Sequence, residues 1–316
     1  MSDPLRPLLA DDGIMLLDGG LATELEAAGH DLRDPLWSAR LLLDEPEAIA
    51  AVHDEYLAAG ADVAIAASYQ ASLPGLRARG LDDTAAAQVL RDAIGLAREA
   101  CDRAVVRRAH PTDPPLPRPR PLAVASLGAY GAYLADGSEY RGDYSVDDAG
   151  LRRFHDERLA VLGPLADLVA FETIPSLREA EQIAAVLADR PTPAWVSLCC
   201  RDDAHVGHGE SIERCADAVL AVPCVLAVGV NCCAPQHVEA LTRRLRARTD
   251  RPIVVYPNAG ERYADGGWCG ERTSPERLVQ LAERWHAAGA RIIGGCCRTT
   301  PAHIAALHRW RARRAP

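Results

Sequence analysis

The sequence predicts an α/β protein, a single (β/α)8 barrel over residues 1–316, on three observations. Eight short apolar runs recur, each bounded by Gly, Pro or polar residues. A stretch with helical spacing follows each run. No shift in composition divides the chain, and 316 residues suit one decorated barrel, whose typical size is about 250 residues.

The apolar runs occupy residues 14–17, 62–67, 122–127, 168–171, 195–198, 225–230, 253–256 and 291–293. They are nearly continuous rather than alternating, as strands covered on both faces should be. The helical stretches are 46–59, 84–108, 146–162, 176–187, 211–219, 236–246, 274–287 and 300–313. Ser176 with Glu179 three residues on spells a capping box. Pro275 behind Thr273-Ser274 marks a first turn, and Thr299-Thr300-Pro301 reads as the cap of the last helix. Two helices end at Gly60 and Gly289. An open doubly wound sheet is the alternative. No GxGxxG follows the first run, which weakens its dinucleotide-binding version. The Pro-rich residues 111–121 read as a long stiff loop before the third strand.

Hydrophobic residues at 48% and charged residues at 25% are those of an ordinary globular protein. A net charge of -9 argues against a nucleic-acid partner. The one dense basic stretch, Arg309, Arg311, Arg313 and Arg314, reads as the solvated end of the last helix. Residues 1–12 carry two prolines and three aspartates and do not form a signal peptide. No apolar run approaches the roughly 20 residues that span a bilayer. The expectation is therefore a cytoplasmic protein without a membrane partner. In a reducing compartment ten cysteines point to metal or redox chemistry rather than to a disulfide framework.

Two groups of cysteines fall at the carboxyl ends of predicted strands: Gly229-Val230-Asn231-Cys232-Cys233 and Gly294-Gly295-Cys296-Cys297. In a barrel these ends open on the face where active sites are built. Three thiolates bind a divalent ion such as zinc and leave a fourth tetrahedral position for substrate. No CxxC knuckle of a structural site is present. Spacing alone leaves two other readings open: buried thiols acting as small hydrophobes, and a redox pair at Cys296-Cys297. Cys101, Cys215, Cys224 and Cys269 read as structural, and Cys199, Cys200 and Cys233 as thiols beside the mouth.

At these residues the chain resembles the homocysteine S-methyltransferases, from about residue 14 to 307. The resemblance rests on Gly229-Val230-Asn231-Cys232 followed by Gly294-Gly295-Cys296-Cys297-Arg298-Thr299-Thr300-Pro301. Further blocks in the same order are Leu17-Asp18-Gly19-Gly20, Asp34-Pro35-Leu36-Trp37-Ser38, the block 67–72, Phe171-Glu172-Thr173-Ile174-Pro175 and the block 255–261. It implies a (β/α)8 barrel in which Cys232, Cys296 and Cys297 hold Zn2+, and transfer of a methyl group to homocysteine to give methionine. The segment 130–142 resembles the branch that uses S-methylmethionine or S-adenosylmethionine as donor. The chain departs from that branch at Ala129, where proline is common, at Cys233, which doubles a ligand, and at residues 207–210.

An α-amino acid needs charged partners, and the strand ends supply them. Asp18 and Glu172 are expected to pair with its ammonium, and the N–H groups of Gly19 and Gly20 to receive its carboxylate. Asn231 is expected to orient Cys232 or the substrate, and Tyr69, Tyr256 and Asn258 to shape the donor pocket, since aromatic rings suit a cation. Competing readings are another acceptor such as selenocysteine, a barrel that binds zinc without catalysis, and a thiol-redox enzyme. A monomer or dimer is expected, because the C-terminal arm of the tetrameric betaine-using enzymes is absent.

Overall fold

Side-chain alternation within the strands builds two cores from one sheet. The computed structural model describes all residues except 1–2, 11–12, 33, 35, 110–117, 265–266 and 315–316. Eight strands pair in parallel: β1 (Met15–Leu16), β2 (Val63–Ile65), β3 (Leu122–Gly128), β4 (Leu168–Ile174), β5 (Ala194–Leu198), β6 (Val225–Asn231), β7 (Ile253–Tyr256) and β8 (Ala290–Ile293). Their order is β1-β8-β7-β6-β5-β4-β3-β2, a nearly closed barrel. Met15, Leu17, Val63, Leu122, Val124, Leu168, Ala170, Trp195, Ala227, Val254 and Ile292 form the inner core. Residues of the opposite parity, such as Ala123, Ala125, Val169 and Phe171, face the surrounding helices.

The outer layer consists of α1 (Pro46–Ala58), α2 (Asp83–Ala109), α3 (Asp148–Leu162), α4 (Leu177–Asp189), α5 (Ile212–Leu220), α6 (Val238–Arg246), α7 (Pro275–Ala288) and α8 (Pro301–Ala312). Each lies within two residues of its expected bounds. Gly60 and Gly289 end α1 and α7 with φ of 105° and 121°, the left-handed geometry that glycine allows. The expected capping box at Ser176 forms only in half. Ser176 Oγ accepts from Glu179 N at 3.2 Å. The Glu179 carboxylate instead accepts from Tyr130 N at 2.7 Å and bonds His155 Nε2 at 2.8 Å and the Tyr144 hydroxyl. Donors of the β3–α3 loop and of α3 compete for it better than the helix end does.

Two further expectations change. β4 runs three residues past its apolar stretch, because Glu172 still pairs with Gly128 and Ile174 with Leu198 across a register irregularity that includes Thr173. An antiparallel hairpin, Arg262–Ala264 with Gly267–Cys269, interrupts the β7–α7 connection. The Pro-rich expectation at 111–117 falls outside the described residues. Among those described, no helix is long and apolar enough to cross a membrane.

The seam between β1 and β2 is closed largely by carboxylates. Asp62 N donates to Leu16 O at 2.8 Å, and Leu16 N returns to Asp62 Oδ2 at 2.9 Å. Higher up, Ile65 N donates to Asp18 Oδ2 at 2.8 Å. The fully buried Asp62 is balanced by Arg118 at 2.9 Å and by Arg311. This corrects the reading of the basic C-terminal stretch: Arg311 is buried against Asp62, while Arg309, Arg313 and Arg314 are exposed. A helical period of 3.6 puts only one residue in several on the inward face. Below the seam, Leu5 and Leu8 of a short N-terminal helix join the inner core and plug the barrel floor.

Removing the buried carboxylate leaves two guanidinium groups without their counter-charge. Asp62→Ala is expected to destabilise the protein by about 3–5 kcal/mol, read as a lower denaturant midpoint. An unchanged midpoint would mean that the seam does not depend on this aspartate.

Candidate active site

Strand parity carries polar side chains into the mouth of the barrel. Ser126, Glu172, Asn231 and Tyr256 occupy the inward register of β3, β4, β6 and β7, one layer above the apolar interior. β7 lies between β6 and β8, with Asn231 beside Tyr256 and Ile293 beside Val255. The chain leaving β6 therefore meets the chain leaving β8 across the top of β7. Cys232 comes from the first, and Cys296 and Cys297 from the second.

The turn after β8 is fixed from several sides. Gly294 N donates to Val255 O at 3.0 Å, Gly295 N to Asp18 O at 3.2 Å and Cys296 N to Pro257 O at 2.8 Å. Thr299 Oγ1 donates to Cys296 O at 2.6 Å, and Thr23 Oγ1 accepts from Arg298 N at 3.0 Å. A side chain at Gly20 would stand 2.7 Å from Cys296 O, so only glycine lets the first strand approach this turn. Thr173, Cys232 and Arg298 adopt left-handed φ of 62°, 49° and 68°. Such geometry costs of order 1–3 kcal/mol per residue, and the cost is steepest for a β-branched residue such as Thr173. Asn231 holds the first of them: its Oδ1 accepts from Thr173 N at 2.7 Å, and its Nδ2 donates to Thr173 Oγ1 at 2.8 Å. Its side chain thus fixes the backbone of β4 against β6, one residue before Cys232.

The three sulfurs fit a metal ion. Cys232 Sγ lies 3.9 Å from Cys297 Sγ, and Cys296 Sγ 3.9 Å from Cys297 Sγ. All three ligand atoms fall within 4.8 Å of one another. A tetrahedral ion with metal–sulfur bonds of about 2.3 Å separates its ligands by about 3.8 Å. The thiols are uncrosslinked, and no disulfide joins Cys296 to Cys297. Hydrogen bonds from Cys296 and Cys297, and from the Tyr140 hydroxyl at 3.5 Å, hold the Cys232 thiol well below its usual pKa. Its charge in turn keeps the protons on Cys296 and Cys297, which are raised. Deprotonating all three would place like charges within 4.8 Å of one another, a repulsion that a bound cation would relieve.

The sulfurs open on a cavity of about 430 Å3 that Asp18, Gly19, Gly20, Tyr69, Glu172, Asn231 and Tyr256 also line. Glu172 accepts from the Ser126 hydroxyl and from Tyr256 Oη at 2.8 Å. Burial nevertheless pushes its carboxyl up to about 7. Burial also raises Asp18 well above the ordinary carboxylate range, with Glu172 adding repulsion. Neither carboxylate forms a surface salt bridge, and a cation between them would restore the charge on both.

Two expectations change on this geometry. The Gly20 N–H already donates to Thr299 O at 3.0 Å, so it is not free for a carboxylate. Asn258 is not among the cavity-lining residues; its Oδ1 accepts from Gly260 N at 3.0 Å in a turn. Tyr256 forms part of the floor, where Trp195 Nε1 donates to its hydroxyl at 3.2 Å. Cys199 and Cys233 are buried thiols beside Cys232, with burial holding Cys233 up at about 12. Sequence reasoning missed Ser126, Thr173, Glu139 and Tyr140. The parity of β3 was the available signal for Ser126, and no local pattern marks a strained threonine.

The fold and site define a class: a (β/α)8-barrel enzyme with a metal-capable trio of cysteines at the carboxyl ends of its strands. The family model for homocysteine S-methyltransferase matches residues 15–310. The chain belongs to the homocysteine S-methyltransferase family and is a methyltransferase of that class. It is 42% identical over 312 residues to the homocysteine S-methyltransferase YbgG of Bacillus subtilis, covering 98% of each chain. It is 43% identical to the selenocysteine Se-methyltransferase of Brassica oleracea, covering 96% of this chain and 91% of that one. Among solved structures, the metallated form of the homocysteine methyltransferase MmuM from Escherichia coli superposes with a TM-score of 0.86 at 42% identity, covering 97% of this chain and 99% of that one.

Replacing Cys232, Cys296 or Cys297 singly by Ser is expected to lower bound metal from near one ion per chain to a small fraction of that. Cys199→Ser and Cys269→Ser should leave it unchanged. Elemental analysis after dialysis checks both halves of the expectation.

Proposed function

We propose that this protein transfers a methyl group from a sulfonium donor, S-methylmethionine or S-adenosylmethionine, to homocysteine, with zinc held by Cys232, Cys296 and Cys297 in one barrel domain. The observation that carries this reading is the 3.9 Å spacing of three sulfurs at the edge of an acidic cavity. Zinc in such a site lowers the pKa of a bound thiol and keeps it as the thiolate at neutral pH.

The chain's own residues do the rest. Asp18 and Glu172 take the ammonium of homocysteine between them, and the Gly19 N–H faces its carboxylate. Tyr256 and Ser126 donate to Glu172 and aim its charge. Asn231 sets the backbone that presents Cys232. The homocysteine sulfur attacks the methyl carbon in line, forming a C–S bond as the donor's S–CH3 bond breaks. The electron pair of that bond returns to the donor sulfur, which leaves as a neutral thioether. No covalent enzyme intermediate is needed. Tyr69 borders the donor side, where an aromatic face suits a sulfonium. The cytoplasm supplies both substrates and keeps the cysteines reduced.

A second reading keeps the site and changes the acceptor to a selenol such as selenocysteine. It is supported by the 43% identity to a plant enzyme named for that substrate. The two acceptors share the α-amino acid that Asp18 and Glu172 recognise.

The test is methionine formation from homocysteine with each donor, before and after metal removal by a chelator. Turnover that is lost on chelation and restored by zinc is expected, and full turnover in metal-free protein would contradict the proposal. Glu172 also sets a pH dependence. Its carboxyl, raised to about 7, is charged above that pH and neutral below it. The KM for homocysteine should therefore rise as pH falls through about 7, and Glu172→Gln should flatten that limb. A thiol ionisation would persist in the variant, which separates the two causes.

A further inference from the structure

Among the described residues, the cavity is lined by five carboxylates, Asp18, Glu26, Asp34, Glu139 and Glu172, and by no Lys, Arg or His. Four of them are accounted for. Asp18 and Glu172 hold hydrogen bonds from the barrel wall, Asp34 accepts from Leu36 N and pairs with Arg79, and Glu26 is exposed at the rim. Glu139 differs. Its Oε2 is enclosed and has no hydrogen-bond partner among the described residues. Its neighbour Arg141 is committed to Asp143 at 3.1 Å.

The position of Glu139 is built rather than incidental. It belongs to the single turn Ser138–Tyr140 of the β3–α3 connection. Gly142 N donates to Ser138 O at 2.7 Å, and Asp136 Oδ1 accepts from Ser138 N at 2.9 Å. The next residue, Tyr140, puts its hydroxyl 3.5 Å from Cys232 Sγ, so the turn hangs over the metal-capable trio. An enclosed carboxylate oxygen without a donor is costly unless a cation meets it. An ammonium brings N–H donors and seeks several acceptors, as Asp18 and Glu172 together provide. A sulfonium has no N–H or O–H, and its charge is offered through polarised methyl and methylene C–H groups. It suits a lone carboxylate beside the rings of Tyr69 and Tyr140.

We propose that Glu139 recognises the positive charge of the sulfonium donor and is a specificity-determining residue for it. This inference rests on the sulfonium-donor reading above and names the group that selects the donor. When the methyl leaves and the donor becomes a neutral thioether, the pairing with Glu139 is lost, which favours release of that product.

The test compares binding of S-methyl-L-methionine with that of its neutral isostere, in which a CH carbon replaces the charged sulfur. Both are titrated into zinc-loaded wild type and Glu139→Gln, and homocysteine KM is measured alongside. Wild type should prefer the sulfonium, and Glu139→Gln should lose about ten- to hundredfold of that preference while its homocysteine KM stays within about twofold. A merely structural role would weaken both ligands and homocysteine together. Wild type that prefers the sulfonium, with a variant that keeps the preference within about twofold, overturns the assignment of Glu139 alone. Wild type with no preference overturns the sulfonium-donor reading itself. Should Glu139→Gln fail to fold, Glu139→Asp keeps the charge one methylene back, and an intermediate loss of preference with homocysteine KM held is the expected result. No loss in that variant would count against the proposal.

Discussion

The site depends on the hydrogen-bond register of three adjacent strands. Cys232 and Cys297 are 65 residues apart in the chain, and nothing local brings them together. β7 does so, because β6 and β8 pair on its two sides with Asn231 level with Tyr256 and Ile293 level with Val255. A slip of one residue in either ladder would turn Glu172's neighbours outward and carry the cysteines away from one another. The metal-capable trio is thus a property of the closed barrel. Closure in turn rests on a seam that two aspartates complete, Asp62 at the floor and Asp18 at the mouth. Asp18 belongs to both the fold and the cavity, so the geometry that shuts the barrel also sets one wall of the site.

Electrostatics explains why such a site asks for ligands. Three thiols stand about one van der Waals contact apart, where their thiolates would repel one another, and burial pushes two nearby carboxyls toward their neutral forms. Each of these groups is held where water solvates it poorly. Cations relieve all of them: a divalent ion for the sulfurs, an ammonium for Asp18 and Glu172. The left-handed backbone at Thr173, Cys232 and Arg298 belongs to the same pattern. Strain of this kind persists where surrounding bonds over-determine it: here Asn231 holds Thr173, Thr23 holds Arg298 N, and Cys232 N donates to Tyr256 O. The three cysteines are pre-organised by groups that hold their backbone rather than their sulfurs.

Much of this was legible in the sequence, and the exceptions have physical causes. Eight buried strands announce themselves because both faces are covered, so Val, Ile, Leu and Ala run without alternation. The trio was legible through the blocks around Cys232 and Cys296-Cys297, and spacing alone did not separate a metal site from buried thiols. The polar residues Glu172 and Thr173 hide the end of β4 in the sequence, since polarity at a strand end signals a mouth only once the barrel is known. Arg311 was read as solvated because charge density in a sequence does not reveal that one residue of four faces a buried aspartate. Gly20 was assigned a free N–H, yet its bond to Thr299 O is a tertiary contact that no local pattern encodes. Glu179 shows the same limit: its spacing from Ser176 spells a cap, and three donors from elsewhere in the fold outcompete that role.

Three cysteine sulfurs are proposed to hold a metal and to leave one position for the substrate sulfur. X-ray absorption at the metal edge tests it directly, on zinc-loaded protein with and without homocysteine. Three sulfur neighbours at about 2.3 Å are expected, rising to four when homocysteine is added. A shell dominated by nitrogen and oxygen, or a sulfur count that homocysteine leaves unchanged, would contradict it.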